Sequence, residues 1–312
     1  MSLIKKPHEL TVQPTIKTLI YGQPGLGKTT LALSAPNPLL IDFDGGVHRV
    51  NAAHQCDTLP VRNYQEFLDV LKEDLSHYKT LVIDTAGKML DYMGAYLIAG
   101  DPKMGKRDGS LALQGYGARK AEFVRVLKQI SIMGKHLVFV AHEKEEKDGD
   151  QKIIRPEIGG SSAGDLIKEL DLVGYMEAIG KRRTISFDPC EKYYAKNVCN
   201  LPAIIELPVL VNEAGEIVKP NSQLTAIFEA YQTNLEKRKV IAAEYAELIE
   251  MIDVKIESIT DINTVNEVSD WAVKFTGWIW DAKLQAGMKL KEKATEIGLT
   301  FNRETKKYEP KS

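Results

Sequence analysis

The sequence lacks long apolar segments and has few cysteines. No run approaches the roughly 18 consecutive apolar residues that a membrane-spanning helix requires, and the N-terminus shows no secretory pattern. The three cysteines, Cys56, Cys190 and Cys199, have no C-x-x-C spacing. That absence argues against a zinc or dithiol motif and favours reduced thiols. We therefore expect a soluble, cytoplasmic protein without a membrane partner.

An excess of charge of one sign is also absent. The chain has 41 basic and 43 acidic residues, for a net charge of −2. This balance argues against a surface that coats nucleic acid as a whole, although a local basic patch is compatible with it. The 312 residues, 44% of them hydrophobic, suffice for one α/β domain with a smaller appended part.

Short apolar runs alternate with helix-length amphipathic segments through the first two-thirds of the chain. The predicted strands are Thr18–Tyr21, Leu39–Asp42, Thr80–Asp84, His136–Ala141 and Leu172–Met176. The predicted helices are Lys28–Ser34, Tyr64–Leu75, Lys88–Ile98 and Ala118–Met133. This alternation predicts an α/β fold with a mostly parallel sheet covered by helices on both faces.

The pattern changes after the last of these strands. Two runs, Arg183–Phe187 and Tyr193–Lys196, predict an antiparallel hairpin joined by an Asp-Pro turn. Farther on, apolar residues recur at helical spacing, which predicts helical structure from about Leu224 onward, with a second helix from about Val265 to Ile297 and a frayed tail at Thr305–Ser312. The expected organisation is an N-terminal extension (1–14), a core (15–210), a connector (211–223) and a helical C-terminal region (224–312).

One segment carries a specific motif for binding phosphate. Residues 22–29 spell G-x-x-x-x-G-K-[ST] between a predicted strand and a predicted helix. Backbone N–H groups of such a loop point at phosphates, and the helix N-terminus adds the positive end of its dipole. We expect Lys28 to reach the β- and γ-phosphates and Thr29 to ligate Mg²⁺. The full set of predicted nucleotide contacts is Gly22, Gln23, Pro24, Gly25, Leu26, Gly27, Lys28, Thr29 and Thr30.

Acidic residues follow two other predicted strands. Asp84 ends the strand 80–84 and is the predicted second Mg²⁺ ligand. Asp42 and Asp44 end the strand 39–42, and a period of two places both on one face. Either could orient the attacking water, and Asp44, which lies farther out, is the predicted residue. A capping or turn role remains the alternative for these aspartates.

A second interpretation of this region is a GTPase. Thr85 occupies the place where many ATPases have a glutamate, and residues 84–87 spell the D-x-x-G of GTPases. A GTPase also needs an N/T-K-x-D motif after a later strand. The corresponding strand ends at His142 without one, which disfavours this interpretation.

The order of these motifs resembles the RecA-like ATPase core over about residues 15–210. The phrases at 41–46, 141–144 and 194–197 resemble phage-encoded RecA-like ATP-binding proteins, some of them tied to single-strand annealing and recombination. The resemblance implies a Mg²⁺-dependent ATPase that acts on DNA in recombination, annealing or replication. It also implies a homo-oligomer in the host cytoplasm, with single-stranded DNA and a single-strand-binding protein as partners.

The resemblance implies further site residues. His142 would sense the γ-phosphate, and Lys196 would reach the nucleotide of a neighbouring subunit. Loops at 100–116 and 143–162 would line a DNA channel. The candidate DNA contacts are Lys103, Lys106, Arg107, Lys152 and Arg155, and the basic run 181–183 could serve as a finger or a DNA contact.

The sequence departs from the family pattern at three of these positions. Asp44 is shorter than the usual glutamate, His142 replaces the usual glutamine, and Val198 stands where a second basic residue is common. These departures leave room for a nucleotide-gated loader or assembly switch with little hydrolysis. A small-molecule kinase, with the loop 100–116 as its lid, is a further alternative.

Overall fold

The computed structural model describes Lys5, Glu9 and residues 15–149, 151–159, 162–180 and 182–311. Most of the predicted N-terminal extension, Lys181 of the basic run and Ser312 of the predicted tail lie outside these residues. The chain divides into two compact units, with the boundary between Tyr231 and Gln232.

The first unit is built on a mixed sheet of ten strands. Its strands are β1 (Lys17–Gly22), β2 (Pro38–Asp42), β3 (Thr58–Pro60), β4 (Thr80–Asp84), β5 (His136–Asp148), β6 (Gln151–Pro156), β7 (Leu172–Ile179), β8 (Arg182–Ser186), β9 (Lys196–Asn197) and β10 (Ile204–Glu206). The strand order is β10-β8-β7-β1-β5-β4-β2-β3, with β6 paired to β5 and β9 to β7. Strands β7, β1, β5, β4, β2 and β3 run parallel. The predicted α/β fold with a mostly parallel sheet is confirmed.

Helices lie between these strands. They are α1 (Lys28–Ala32), α2 (Tyr64–Val70), α3 (Ala86–Gly100), α4 (Leu113–Ile132) and α5 (Ser162–Glu169), and α6 (Gln223–Glu257) follows the sheet. Both faces of the sheet are buried, which explains the continuous apolar runs. Along β1, Leu19 and Tyr21 belong to one hydrophobic cluster and Ile20 belongs to the other.

The predicted hairpin between Arg183–Phe187 and Tyr193–Lys196 is wrong. Strand β8 pairs instead with β7, directly before it, and with β10. Gly180 has φ 62° between β7 and β8, a conformation that glycine adopts at little cost in a tight turn. The later segment forms only the short β9, which pairs with β7.

The two loops expected over a DNA channel are more regular than predicted. Residues 143–148 and 151–156 form an antiparallel ladder between β5 and β6. The segment 100–116 contains a short 3-10 turn at Pro102–Met104 and the first turn of α4. Asp101 caps that turn by accepting a hydrogen bond from the backbone N–H of Lys103. Both segments therefore have backbone structure of their own.

The second unit contains α7 (Ile262–Lys274), α8 (Ala282–Glu296) and the hairpin of β11 (Leu299–Asn302) and β12 (Lys307–Pro310). The single helix predicted from Val265 to Ile297 is wrong, because the chain leaves helical geometry between Phe275 and Asp281. Trp271, Phe275 and Trp278 pack their rings together there, at centroid distances of 5.0–5.7 Å. The predicted frayed tail is also wrong, because Tyr308 of β12 is buried.

No helix among the described residues is long and apolar enough to cross a membrane.

A buried histidine near the start of β5 makes the stability of the first unit depend on pH. The Nδ1 atom of His136 accepts a hydrogen bond from the backbone N–H of Ile16 at 3.0 Å, and its ring stacks on Phe228. Burial, and secondarily the charge of Lys79, lowers the pKa of His136 to about 4. The unfolded chain takes up the same proton near pH 6.5. The stabilising contribution is therefore complete above about pH 6.5 and is lost as the pH falls toward 4.

We expect the native protein to lose up to about 3 kcal/mol more unfolding free energy than His136→Asn between pH 7 and pH 4. Carboxyl groups titrate over the same pH range in both proteins, so their contribution to the unfolding free energy cancels in this comparison. Urea denaturation at a series of pH values measures the difference. Equal losses in the two proteins would contradict the assignment.

Candidate nucleotide-binding site

The phosphate loop lies at the carboxyl end of β1, directly before α1. Gly25 and Gly27 have φ of 81° and 88°, values that favour glycine over residues with a Cβ. Gly27 is the N-cap of α1, and no side chain caps the helix there. The first N–H groups of α1 are thus not bonded to a capping side chain, as a phosphate-binding helix start requires.

Lys28 is the buried cation of this loop, with 6% of its surface exposed. Its Nζ donates hydrogen bonds to the carbonyl oxygens of Gly22 at 2.9 Å and Gln23 at 2.7 Å. Burial lowers the pKa of Lys28, and the nearby charges of Asp84, Glu143 and Asp44 oppose that shift. The ammonium group therefore lies between the loop backbone and a group of carboxylates.

The side chains of Thr29, on α1, and Asp84, at the end of β4, are in direct contact. The Thr29 hydroxyl donates a hydrogen bond to Asp84 Oδ2 at 2.6 Å. Burial, together with the charges of Asp42 and Asp44, raises the pKa of Asp84 to about 6, although the hydrogen bond from Thr29 and the charge of Lys28 act to lower it. A hydroxyl and a carboxylate oxygen are ligands that Mg²⁺ accepts, and a cation would relieve the repulsion among these acids. The residues present therefore fit a Mg²⁺ ion.

The protein supplies few ligands for such an ion. Within the described residues, no group of three or more His, Cys, Asp and Glu side chains is placed to hold a metal. Mg²⁺ commonly binds proteins through one or two side chains and takes its other oxygens from water and substrate phosphates. The geometry suits a metal ion that arrives with a nucleotide.

The structure separates the two aspartates after β2. Asp42 is buried and folds back on the chain, so that Oδ1 accepts from the backbone N–H groups of Asp44, Gly45 and Gly46 and Oδ2 accepts from that of Val47. Asp44 points outward, with 25% of its side chain exposed, and pairs with Arg49 at 3.6 Å. Asp42 shapes the loop, and Asp44 is the carboxylate left available for chemistry.

Matched substitutions distinguish these two roles. We expect Asp42→Ala to lower the unfolding free energy by about 3 kcal/mol, because four N–H groups lose an ionised acceptor. Asp44→Asn should change it by less than about 0.5 kcal/mol, because a largely exposed ion pair contributes little. Urea unfolding of both variants checks this. Equal losses of stability would contradict the division of roles.

His142 lies beside the loop, because its register partner in the parallel pairing of β5 with β1 is Gly22. Its Nδ1 atom is buried and has no hydrogen-bond partner among the described residues. Burial, followed by the charge of Lys28, lowers the pKa of His142. Its carbonyl oxygen accepts a hydrogen bond from the backbone N–H of Glu157, which follows β6. The sensing role stays a prediction, and the position beside the phosphates suits it.

Comparison with known proteins shows which family the chain belongs to. The AAA domain family matches residues 15–199, which is more than half of the chain. The chain belongs to this family. It therefore has a P-loop ATPase domain, and the matched residues include the phosphate loop, Asp84 and the whole of β1 to β7.

Two solved structures are similar to this AAA domain at low identity. Flagellar accessory protein FlaH from Methanocaldococcus jannaschii shares 11% identity, with 66% of this chain and 90% of that chain covered and a TM-score of 0.37. The isolated ATPase domain of a second protein shares 12% identity, with coverages of 67% and 86% and a TM-score of 0.38. No curated protein matches this chain. Neither structural similarity is close enough to bear on substrate or partner.

Lys196 has a different environment from the one that the finger role implies. Its ammonium group donates hydrogen bonds to the carbonyl oxygens of Ile167, Lys168 and Leu170, at the C-terminal end of α5. Cations at a helix C-terminus stabilise the unpaired carbonyls and the helix dipole. The structure thus shows an intramolecular role for Lys196, and reaching a neighbouring nucleotide stays a prediction.

The candidate DNA contacts divide into two sets with different surroundings. Lys103, Lys106 and Arg107 are exposed and form no ion pair with any described residue. Lys152 instead pairs with Glu145, and Arg155 lies 3.5 Å from the ring centroid of Tyr194. The first set is therefore the better candidate for binding phosphates, and DNA contact by either set stays a prediction.

Sequence reasoning assigned no role to one residue, Tyr116, and a different role to another, Arg183. Tyr116 is 46% exposed, lies in the same segment 100–116 as Lys103, Lys106 and Arg107, and has the guanidinium group of Arg119 over its ring at 5.2 Å; no aromatic residue of this segment was assigned to DNA. Arg183 lies at the phosphate loop, although its run of basic residues suggested only a finger or a DNA contact. Only the pairing of β8 with β7 shows this, and the sequence pointed to a different pairing.

Proposed function

We propose that this AAA domain binds ATP with Mg²⁺ and hydrolyses it, and that single-stranded DNA controls the turnover. The observation that carries the proposal is the hydrogen bond between Thr29 and Asp84, beside the buried Lys28. A hydroxyl and a carboxylate of the kind that bind Mg²⁺ thus lie together beside a buried cation at the phosphate loop, which supports the proposal. When bound, Mg²⁺ would neutralise developing charge on the phosphate oxygens.

The chain's own residues supply the other functions. The loop amides and Lys28 bind the β- and γ-phosphates, and Thr29 and Asp84 hold the metal ion. Asp44 accepts the proton of the attacking water as the bond from the γ-phosphorus to the bridging oxygen breaks, which releases ADP and phosphate. Its position supports this role, because its charge affects the pKa of Lys28, Asp84 and His142.

The DNA part of the proposal rests on the segment 100–116. This segment contains three exposed basic residues, and Leu113 and Tyr116 in the same segment are 89% and 46% exposed. Single-stranded nucleic acid binds to such surfaces because basic side chains attract its phosphates and aromatic rings stack on its bases. The RecA resemblance points to the same segment and to assembly of several subunits.

The experiment is ATP turnover with and without single-stranded DNA, with Lys28→Ala as the blank. We expect DNA to stimulate the native protein and leave the blank inactive. A triple variant with Lys103, Lys106 and Arg107 changed to alanine should keep basal turnover and lose stimulation. Stimulation that survives in this variant would contradict the assignment of the segment.

A second candidate function is a nucleotide-gated assembly switch with little hydrolysis. The ion pair of Asp44 with Arg49 favours it, because a paired carboxylate accepts a proton less readily. ATP binding without phosphate release, with or without DNA, would support the switch. Turnover only with a small-molecule acceptor would instead support a kinase.

A further inference from the structure

A cavity opens beside the phosphate loop. It measures about 540 Å³ and is lined by Gly27 and Thr30 of the loop and α1, Met176 of β7 and Arg183 of β8. In the sheet, β7 and β5 flank β1 on opposite sides, and β4 with Asp84 lies beyond β5. The walls formed by Met176 and Arg183 therefore lie across β1 from Asp84.

The walls of this cavity suit a nucleoside. Leu26, Met176, Leu207 and Val209 provide apolar surface, and Asn51 and Asn212 provide amide groups. Its volume is within the range of about 300–1,000 Å³ that small-molecule sites commonly have. With the terminal phosphate on the side of Asp84, the rest of a nucleotide would leave the loop past Gly27 and Thr30 into this space.

Arg183 lies near Gly27, where the cavity begins at the phosphate loop. Its Nη1 atom lies 3.5 Å from the point that a Cβ on Gly27 would occupy. The neighbouring Arg182 pairs with Glu206 at 3.8 Å, whereas Arg183 has no ion pair with any described residue. An exposed guanidinium group that has no ion pair with a described residue thus lies close to Gly27 of the phosphate loop, and both residues line the cavity.

The sheet holds Arg183 in this place. In the antiparallel pairing of β8 with β7, Arg183 is opposite Ala178, and β7 pairs with β1 so that Met176 is opposite Gly22. The carbonyl oxygen of Arg183 also accepts a hydrogen bond from the backbone N–H of Leu207, after β10. Backbone bonds on both edges of β8 therefore fix its position relative to the loop of the same subunit.

We propose that Arg183 binds the nucleotide phosphates nearest the nucleoside, in the same subunit that supplies the phosphate loop. The inference rests on the proposed function, since it names a further ligand for the same nucleotide. A guanidinium group presents two parallel N–H donors to phosphate oxygens, which lysine does not. Arg183 would thereby add a second positive charge beside the loop, across β1 from Asp84.

Equilibrium binding of ATP and ADP tests this assignment in the full chain. We expect Arg183→Ala to weaken both by about ten- to hundredfold, because a charge-assisted hydrogen bond to phosphate is lost. Arg183→Lys should fall between this variant and the native protein, because it keeps the charge and loses the paired donors. Arg182→Ala is the matched control, and its affinity should stay within about twofold of native.

Lys28→Ala, measured in parallel, separates failure of this inference from failure of the proposed function. Loss of ATP binding in Lys28→Ala with native affinity in Arg183→Ala would overturn the role of Arg183 alone. Native ATP affinity in Lys28→Ala, or no ATP binding by the native protein, would overturn the proposed function and the role of Arg183 with it.

A mixing experiment tests whether Arg183 acts in its own subunit. Arg183→Ala and Lys28→Ala proteins are combined at an ATP concentration that saturates the native protein but leaves Arg183→Ala mostly unbound, and ATP turnover is compared with that of each alone. Action within one subunit predicts that mixing restores no turnover, because each chain lacks one part of its own site. Restored turnover would show that Arg183 serves a neighbouring site and would overturn the assignment.

Discussion

Lys28→Ala is expected to weaken ATP binding by about 100-fold or more and to abolish measurable turnover. Lys28 is buried at the loop, where Asp84, Glu143 and Asp44 contribute negative charge. Removing the ammonium group leaves these carboxylates without their nearby cation. Their negative charge would then repel the negatively charged triphosphate. The carbonyl oxygens of Gly22 and Gln23 also lose their side-chain donor.

Calorimetric titration with ATP measures the effect, and Lys72→Ala is the matched control. Lys72 is an exposed lysine whose partner, Asp69, lies far along the chain from the loop. Its removal should leave ATP affinity unchanged. ATP affinity of Lys28→Ala within about threefold of native, in a protein that unfolds at the native temperature, would contradict the assignment of the loop.

Asp84→Asn is expected to lower Mg²⁺-dependent ATP turnover by about 100-fold, with less than about a threefold change in ATP affinity without Mg²⁺. Asparagine keeps the volume, and its carbonyl oxygen can still accept the hydrogen bond from Thr29. It lacks the charge that a divalent cation needs. The fold should tolerate the change, because burial already disfavours the ionised form of Asp84.

Titration of turnover against Mg²⁺ concentration, in the native protein and in Asp84→Asn, makes this measurement. Asp91→Asn, at an exposed position on α3, is the control and should behave as native. The same Mg²⁺ dependence in Asp84→Asn and in the native protein would exclude Asp84 as a metal ligand.

The sequence predicted the strands around the site because their signals are local. The strands β1, β2 and β4 are short apolar runs that end in Gly22, Asp42 and Asp84, and burial on both faces of a parallel sheet imposes apolar runs of this kind. The contact of Thr29 with Asp84 followed from two such strands and one specific motif. The pairing of β8, the course of the chain after β2 and the helix boundaries of the second unit differ from the prediction.

These differences came from a local turn after β2 and from contacts between residues that are distant in the sequence. A period of two placed Asp42 and Asp44 on one face, but the chain turns at Gly45, with φ 68°, and Asp42 folds back onto the turn. The pairing of β8 with β7 rather than with the later segment moved Arg183 to the loop. Lys196 was assigned by resemblance, and its bonds to α5 depend on tertiary packing that no local pattern reports.

Single-turnover phosphate release tests most directly whether this site hydrolyses ATP. Excess native protein is mixed with γ-labelled ATP and Mg²⁺, with and without single-stranded DNA, and released phosphate is followed over time. The proposed function predicts complete release that requires Mg²⁺, proceeds faster with DNA and is absent in Lys28→Ala. ATP that stays bound and intact under every condition would contradict it.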